Sequence, residues 1–342
     1  MRIVSGNRNT EKMLIAVDDD NDLWYLSNII EPGDMVRATV FRREEKREDM
    51  IRSKESQRKP VTLSIAVDRV EFRNFTDTLK ILGIVKEGPE ELINVHQSVN
   101  VSPGDSIELI GKRWNSGQIE LLSEATEQSV KGVLFIALDD ESCLVATARN
   151  YGINVIARID SGRSGKMYEV KYSEKDYFKE IQNTISGKEV HTLIILGPGL
   201  TRMRLADYLR SSMNNVSILS YAADRTDEAA IYSFLQSDEA SKVIESSRLV
   251  TEQRLLQQFL KNLSTNGLAA YGYESVKAMA KMSAIDTLLI TEDKFHTIEG
   301  SSIIKIAEES GSRFFVFSAS SEPGIMIQKF GGYCAILRFR AV

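Results

Sequence analysis

An acidic cluster near the start of the chain could support metal chemistry. Residues 18–22 read DDDND and lie between two strand-like runs. Acidic side chains at a tight turn can hold a hard divalent cation through oxygen ligands, and a bound cation can activate water for RNA hydrolysis. A polar hairpin turn would have the same composition. The pattern therefore leaves a metal site at Asp18, Asp19 and Asp22 and a solvated turn as open alternatives.

A basic insertion follows at Arg42–Lys59, between two strand-like segments. Hairpin loops usually have about 2–5 residues, so a loop of this length is often functional. Its basic side chains could pair with RNA phosphates. The interleaved acidic residues also fit a solvated loop with ion pairs four residues apart. The candidate RNA-binding residues are Arg42, Arg43, Arg47, Arg52, Lys54, Arg58 and Lys59.

A third candidate loop, residues 160–171, reads DSGRSGKMYEVK. It fails as a phosphate-binding P-loop, because Lys166 is followed by Met167 instead of Ser or Thr and Asp160 stands where the first glycine belongs. A nucleotide site is therefore not predicted. What remains is an exposed basic loop that carries Arg163 and Lys166.

A fourth candidate, residues 196–204, reads LGPGLTRMR. The Gly-Pro-Gly turn follows a strand-like run, and Thr201 can cap the next helix. Backbone N–H groups at such a helix start can hold a phosphate, although many α/β turns have the same pattern. Pattern alone therefore gives Pro198, Gly199, Leu200 and Arg202 only a weak functional assignment.

Composition excludes several classes of protein. The 342 residues are 42% hydrophobic and 27% charged, and no uninterrupted apolar run is long enough to cross a membrane. The N-terminus lacks the apolar core of a signal peptide, so a cytoplasmic protein is expected. The two cysteines, Cys143 and Cys334, lie in apolar runs and are expected to be free buried thiols. The three histidines have no partners at zinc-ligand spacing and offer no hydrolase triad. With a net charge of −5, any RNA contact must come from a local patch.

Three regions position the candidate residues. Residues 1–128 are predicted to form a small β-barrel, with x-Pro-Gly-Asp turns at Pro32–Asp34 and Pro103–Asp105 that each enter a strand. Its strand-like runs are Met13–Val17, Leu23–Ile30, Met35–Phe41, Val61–Phe72, Leu79–Val85 and Ile107–Ile110.

Residues 129–262 switch to an α/β pattern of order βββαβαβα. The predicted strands are Gly132–Leu138, Cys143–Ala148, Ile153–Ile159, Val190–Leu196 and Val216–Ser220. The predicted helices are Glu174–Ile185, Thr201–Met213, Asp227–Gln236 and Ser241–Leu263.

Residues 263–342 read as a small α/β domain after a linker at Ser264–Gly267. It contains a helix starting near Tyr273, a buried strand at Ile285–Ile290 that ends in TED, a Pro-Gly turn at residues 323–324 and a closing strand at Cys334–Phe339. YG-x3-V, LLITED and GG-x-x-AILRF resemble the third domain of the Pelota family, whose members are relatives of the archaeal and eukaryotic class 1 release factors.

The resemblance extends over nearly the whole chain. It implies an N-terminal Sm-like β-barrel for RNA and the decoding site, a central release-factor-like α/β domain and a C-terminal release-factor-like α/β domain. The loop corresponding to Arg42–Lys59 would enter the empty decoding site and the mRNA channel. The family's Pro-Gly-Phe-x-Arg pattern is matched by Pro198, Gly199 and Arg202, with Leu200 in place of the aromatic residue. Together with Arg163 and Lys166, these residues would face a partner GTPase.

The function implied by the resemblance is recognition and rescue of stalled ribosomes by a tRNA-mimicking monomer. A translation GTPase such as archaeal elongation factor 1-alpha would deliver it to an empty A site, and an ABC-type recycling ATPase would help to split the subunits. No Gly-Gly-Gln occurs in the sequence, so peptide release is not expected.

The same family offers a rival function. Some Pelota proteins have been proposed to be divalent-metal-dependent endoribonucleases that act through the barrel. Asp18, Asp19 and Asp22 match the family's acidic pattern, whereas Asn21 departs from it. A divalent cation is expected only under this alternative, and no nucleotide or zinc under either. The sequence leaves adaptor and nuclease open.

Overall fold

The computed structural model describes residues 1–7, 9–43, 58–127, 132–163, 173–188, 190–213, 215–244, 248–265 and 267–340. Contacts divide the chain into two compact units, Met1–Gln128 and Ser129–Val342. The first contains one sheet, and the second contains two. No helix in the described part of the chain is long and apolar enough to span a membrane.

The first unit is a seven-stranded antiparallel sheet of order β1-β2-β7-β3-β4-β5-β6. β3 also touches β6, so the sheet curls as the predicted barrel requires. The strands are β1 Arg2–Ser5, β2 Lys12–Ala16, β3 Met35–Arg43, β4 Arg58–Phe72, β5 Leu79–Glu87, β6 His96–Val101 and β7 Ser106–Ile110. The helices are α1 Asp20–Ile29 and α2 Ser116–Glu127, with a 3₁₀ turn at Glu90–Leu92.

Both x-Pro-Gly-Asp segments form the predicted turns into strands. Gly33 and Gly104 have φ of 94° and 96°, values that favour glycine. The next Asp closes each turn: Asp34 accepts a hydrogen bond from the Glu31 N–H, and Asp105 accepts one from the Ser102 N–H. β3 and β7 then begin directly after these aspartates.

One predicted strand is wrong, because the run Leu23–Ile30 lies almost entirely in helix α1. The helix is buried nearly all round, including Leu23, Trp24 and Tyr25. An apolar run without a polar face has no helical period, so a buried helix and a buried strand look alike in sequence. Strands β1 and β6 and helix α2 were not predicted.

The middle sheet has the order β10-β9-β8-β11-β12. Its strands are β8 Val133–Leu138, β9 Ser142–Arg149, β10 Gly152–Asp160, β11 Thr192–Gly197 and β12 Ser217–Ala222. Its helices are α3 Glu174–Ile185, α4 Thr201–Arg210, α5 Glu228–Leu235, α6 Asp238–Val243 and α7 Arg248–Thr265. Helices α3 and α4 cover one face, while α5, α6 and the start of α7 cover the other. The predicted element order is confirmed, except that the last predicted helix is divided into α6 and α7.

The third sheet has the order β13-β16-β14-β15. Its strands are β13 Ala269–Tyr271, β14 Ile285–Thr291, β15 Arg313–Phe317 and β16 Tyr333–Leu337. Its helices are α8 Tyr273–Lys281, α9 Glu292–Phe295, α10 Ile298–Glu309 and α11 Glu322–Lys329.

The predicted Pro-Gly turn of the third sheet is instead the first turn of α11. The Ser321 side chain caps this helix by accepting from the Gly324 N–H, and proline is tolerated at a helix start because its missing N–H would be unpaired there anyway. The predicted linker at residue 264 also falls inside a helix, since α7 continues to Thr265. Both Cys143 and Cys334 are buried free thiols, as predicted.

Candidate RNA and partner interfaces

The two ends of the basic insertion form a two-stranded arm. β7 pairs with β3 only as far as Ala38, and β5 pairs with β4 only from Ser64 onward. Beyond these points, the described parts of β3 and β4 pair only with each other, through Thr39 opposite Thr62 and Phe41 opposite Pro60. The arm therefore leaves the sheet as a ribbon, which gives its end access to a groove or channel.

Basic residues lie in register at the end of this arm. Arg42 is in register with Lys59, and Arg43 with Arg58. The end of the arm therefore carries basic residues on both strands, the residue types that bind nucleic-acid phosphates. The other three candidates, Arg47, Arg52 and Lys54, lie outside the described residues.

The acidic turn has a structural role at the start of α1. The Asp19 side chain accepts from the Asp22 N–H, and the Asp22 side chain accepts from the Asp19 N–H, which completes a capping box. Asp22 also accepts from the Asp18 N–H at 2.7 Å and from the Met1 amino group at 2.7 Å. Asp18 accepts from the Arg2 guanidinium at 2.9 Å. Two cations from the first strand thus already neutralise these carboxylates.

This donor set does not fit a resident divalent cation. Asp22 is 3% exposed, and its oxygens bind N–H donors instead of facing an open position. Burial, followed by the charge of Asp19, raises its pKa, which makes it a poorer ligand. Within the described residues, no group of three or more His, Cys, Asp and Glu side chains is arranged to hold a metal ion. The metal site at Asp18, Asp19 and Asp22 therefore stays a prediction that the geometry does not favour.

The acidic turn and the arm nevertheless leave the first sheet at the same end. Ala16 of β2 pairs with Ser106 of β7, and Ala38 of β3 pairs with its neighbour Ile107. The turn after β2 and the ribbon beyond Ala38 therefore extend in the same direction. The acidic turn therefore lies at the end of the sheet from which the arm extends.

Four strands of the middle sheet end at one edge. β8 and β12 run parallel to β11, and β10 runs with β8 because β9 is antiparallel to both. The loops after β8, β10 and β11 therefore meet at this edge, as the carboxyl ends of parallel strands do. We call residues 139–141, 161–163 and 198–203 the carboxyl edge.

Arg163 lies on the carboxyl edge but does not add free positive charge there. Its guanidinium pairs with Asp140, and the hydroxyl of Ser161 donates to the Asp140 carbonyl at 2.7 Å. The positive charge expected from the loop is therefore offset by an aspartate from the loop after β8. Lys166 lies outside the described residues.

The Gly-Pro-Gly turn is held close to the neighbouring strand. Gly197 has φ of 150°, and a Cβ there would lie 1.9 Å from the Leu138 carbonyl oxygen. Arg202 folds back over the turn and donates to the carbonyls of Gly197 and Gly199. Arg202 therefore positions the turn and is not directed outward as a charged contact.

Apolar side chains are what the turn presents outward. Leu200 is 64% exposed and Met203 is 49% exposed. They stand three positions apart at the start of α4, so they are neighbours on the helix surface. Sequence reasoning did not single out Met203, although an apolar residue three positions after Leu200 in the polar stretch TRMR was a usable signal.

Comparison with known proteins assigns the chain to a family. The model of the Pelota N-terminal domain matches residues 1–126, and that of eRF1 domain 3 matches residues 249–341. The protein pelota homolog of Picrophilus torridus is 37% identical over 341 residues, covering 98% of this chain and 99% of its own length. The chain belongs to the Pelota family.

Solved structures agree with the assignment to Pelota. The crystal structure of Thermoplasma acidophilum Pelota covers 100% of both chains with a TM-score of 0.82 and 29% identity. Dom34 of S. cerevisiae, a translation termination-like factor involved in RNA quality control pathways and interacting with Hbs1, covers 100% of this chain and 99% of its own. Its TM-score is 0.53 and its identity 18%, so this likeness shows the fold alone. The three-domain Pelota architecture expected from the sequence is thereby confirmed.

Proposed function

We propose that this Pelota protein recognises and rescues stalled ribosomes as a tRNA-shaped adaptor. The observation that carries this proposal is the arm, which leaves the first sheet with cationic residues in register on both strands. Basic residues on two paired strands can bind phosphates on either side of a ribbon, and an mRNA channel lacking a readable codon offers ribosomal RNA phosphates to a narrow ribbon. The arm would enter this channel, and the rest of the chain would occupy the empty A site.

A translation GTPase is the proposed partner of the carboxyl edge. Exposed Leu200 and Met203 offer an apolar contact, while Arg163 and Asp140 provide a charged pair beside it. The centres of protein interfaces favour apolar contacts of this kind, with charges at the rim. Dom34 interacts with Hbs1, which supports a partner protein for this fold. In archaea the family resemblance points to elongation factor 1-alpha, with an ABC-type recycling ATPase acting afterwards, and a cytoplasmic monomer as the working form.

The arm provides the test of the proposed function. Replacing all seven candidate cations with alanine should leave folding intact, because a solvated arm contributes little core. Binding to ribosomes with an empty A site should fall, and its salt dependence should become shallower, because each lost phosphate contact releases fewer counterions.

Lys179→Ala and Lys305→Ala, two exposed lysines on helices of the second unit, serve as a control for positive charge lost outside the arm. The proposal fails if the arm variant splits stalled ribosomes at the parental rate with the same salt slope. A loss of splitting in the control variant alone would also contradict the assignment to the arm.

The rival is a divalent-metal-dependent endoribonuclease. It is kept because the acidic turn and the arm leave the sheet at the same end. We expect purified protein to show no Mg²⁺- or Mn²⁺-dependent cleavage of RNA, because the carboxylates of the turn already bind N–H donors and cations.

The variants for this test differ in how far they are expected to destabilise the fold. Asp22→Asn alters a buried group, so its cleavage assay must be run below its own melting temperature. Asp18→Asn changes a more accessible carboxylate. Cleavage that follows the monomer on a sizing column, needs the metal and disappears in folded Asp18→Asn would establish the nuclease.

A further inference from the structure

Helix α7 belongs to two hydrophobic cores at once. Its first turn contributes Leu249 and Val250 to the core of the middle sheet. Further along, Leu256 and Phe259 join the core of the third sheet. A single helix therefore connects the two sheets. We call residues 248–259 of α7, which contact both cores, the joint.

Two charged residues of α7 are completely buried at this joint. Arg248 and Glu252 have side-chain exposures of 0% each, and their nearest charged atoms are 3.9 Å apart. The Arg248 guanidinium donates to the Val316 carbonyl of β15 and lies 4.3 Å from the centroid of the Phe315 ring. Arg248 therefore anchors the start of α7 to the third sheet.

Glu252 holds the loop that follows β15. It accepts from the Ser318 N–H at 3.1 Å and from the Ser321 hydroxyl at 2.6 Å. Ser321 also caps α11, so its bond to Glu252 helps to position that helix. The same loop reaches the middle sheet, since the Ser320 hydroxyl donates to the Tyr151 carbonyl at 2.6 Å. Tyr151 lies in the turn between β9 and β10, and it is fully buried.

We propose that Arg248 and Glu252 form a buried latch that fixes the third sheet to the middle sheet, and that losing the contact between Glu252 and residues 318–321 frees the two sheets to move about α7. A buried ion pair is weak support for stability by itself, but removing one member leaves an uncompensated charge and unpaired donors. The latch thus gives two states: a closed one in which Glu252 accepts from Ser318 and Ser321, and an open one in which this loop is exposed to water. This conformational device goes beyond the proposed ribosome function.

The surroundings of Glu252 in the latch raise the pKa of its carboxyl group. Burial raises its pKa to about 7, against the lowering effects of Arg248 and of the bonds from Ser321 and Ser318. Glu292 of α9 adds a further carboxylate, which itself accepts from the Ala319 N–H. Tyr232 of α5 is another titratable neighbour, and burial raises its pKa to about 12. Near neutral pH the occupancy of this one proton changes while the neighbouring tyrosine stays neutral.

The latch can be tested by distance measurements between the two sheets in the full-length protein. Spin labels at Lys179→Cys on α3 and Lys305→Cys on α10 report the separation by pulsed electron spin resonance, since both native thiols are buried. The parent should give one narrow distance distribution. Glu252→Ala should broaden it about twofold, because it removes the acceptor of Ser318 and Ser321 and the carboxylate that faces Arg248.

Three further variants separate the latch from general damage. Glu252→Gln keeps an oxygen acceptor but removes the charge that faces Arg248, so it should broaden the distribution less than Glu252→Ala. Glu309→Ala, an exposed glutamate on α10, should match the parent. Ser321→Ala removes one bond to Glu252 and should broaden the distribution less than Glu252→Ala, and it gives the readout if Glu252→Ala does not fold. Narrow, parent-like distributions in folded Glu252→Ala, or in Ser321→Ala where Glu252→Ala is unfolded, would overturn the latch.

Discussion

At the scale of single residues, Leu200 sets the apolar character of the carboxyl edge. It stands where the family pattern has an aromatic residue, and it is 64% exposed. Leu200→Phe should strengthen binding to the GTPase a few fold, because an aromatic ring buries more apolar area. Leu200→Ala should weaken binding about tenfold through lost burial. Isothermal titration calorimetry measures both, with Ile93→Ala in the first unit as the control. Equal affinities for all three variants would remove Leu200 from the interface.

Glu252 makes the stability of the second unit depend on pH. Its pKa is about 7 in the folded protein against 4.5 for an ordinary glutamate, so the folded state holds this proton more tightly. The stability that Glu252 contributes to the folded state is therefore fully present below about pH 4.5 and is lost as pH rises through about 7. The upper limit of this contribution to the free energy of unfolding is about 3 kcal/mol. Glu252→Gln cannot titrate and should lack this loss. Melting temperatures measured from pH 4.5 to 8 test this prediction. If parent and variant show the same pH dependence, Glu252 is not the titrating group.

At the scale of the element, the arm has basic residues in register on its two paired strands. Lys59→Glu would place an acidic residue in register with Arg42, and opposite charges at facing positions stabilise a strand pair. We expect slower amide exchange in the ribbon beyond Ala38 together with weaker binding to ribosomes. Lys59→Gln removes the positive charge without adding a negative one and should be intermediate in both measurements. Faster exchange in Lys59→Glu, or unchanged ribosome affinity, would show that the opposed cations are not the binding determinant.

At the scale of the whole molecule, the two compact units should unfold separately, because each has its own core and a multidomain chain need not be two-state. Calorimetry of the full chain should therefore show two transitions. Asp19→Ala removes half of the capping box of α1 and should lower only the first unit's transition, by about 1 kcal/mol of stability. Glu252→Ala should lower only the other. A single transition moved by both variants would show that the units unfold together.

The sequence alone determined the succession of elements and the local turn chemistry. Short apolar or alternating runs predicted β2, β3, β4, β5 and β7 of the first sheet, and the predicted bounds of α3 match the structure. The x-Pro-Gly-Asp turns could be predicted because proline, glycine and aspartate each fix one feature of a turn within four residues. The arm's position between two strands followed from the same local reading, as did the buried thiols. These features depend on neighbours in the chain, which a sequence shows directly.

Only the tertiary structure decided what the charged residues do. The acidic turn suggested metal ligands, but Asp18 and Asp22 bind the guanidinium of Arg2 and the amino group of Met1, which arrive with the neighbouring strand β1. Arg163 is offset by Asp140, and Glu252 binds a loop more than sixty residues away in sequence. A charge is neutralised by whichever group the fold brings close, and those partners are distant along the chain. Composition and spacing therefore locate charges but cannot assign their partners.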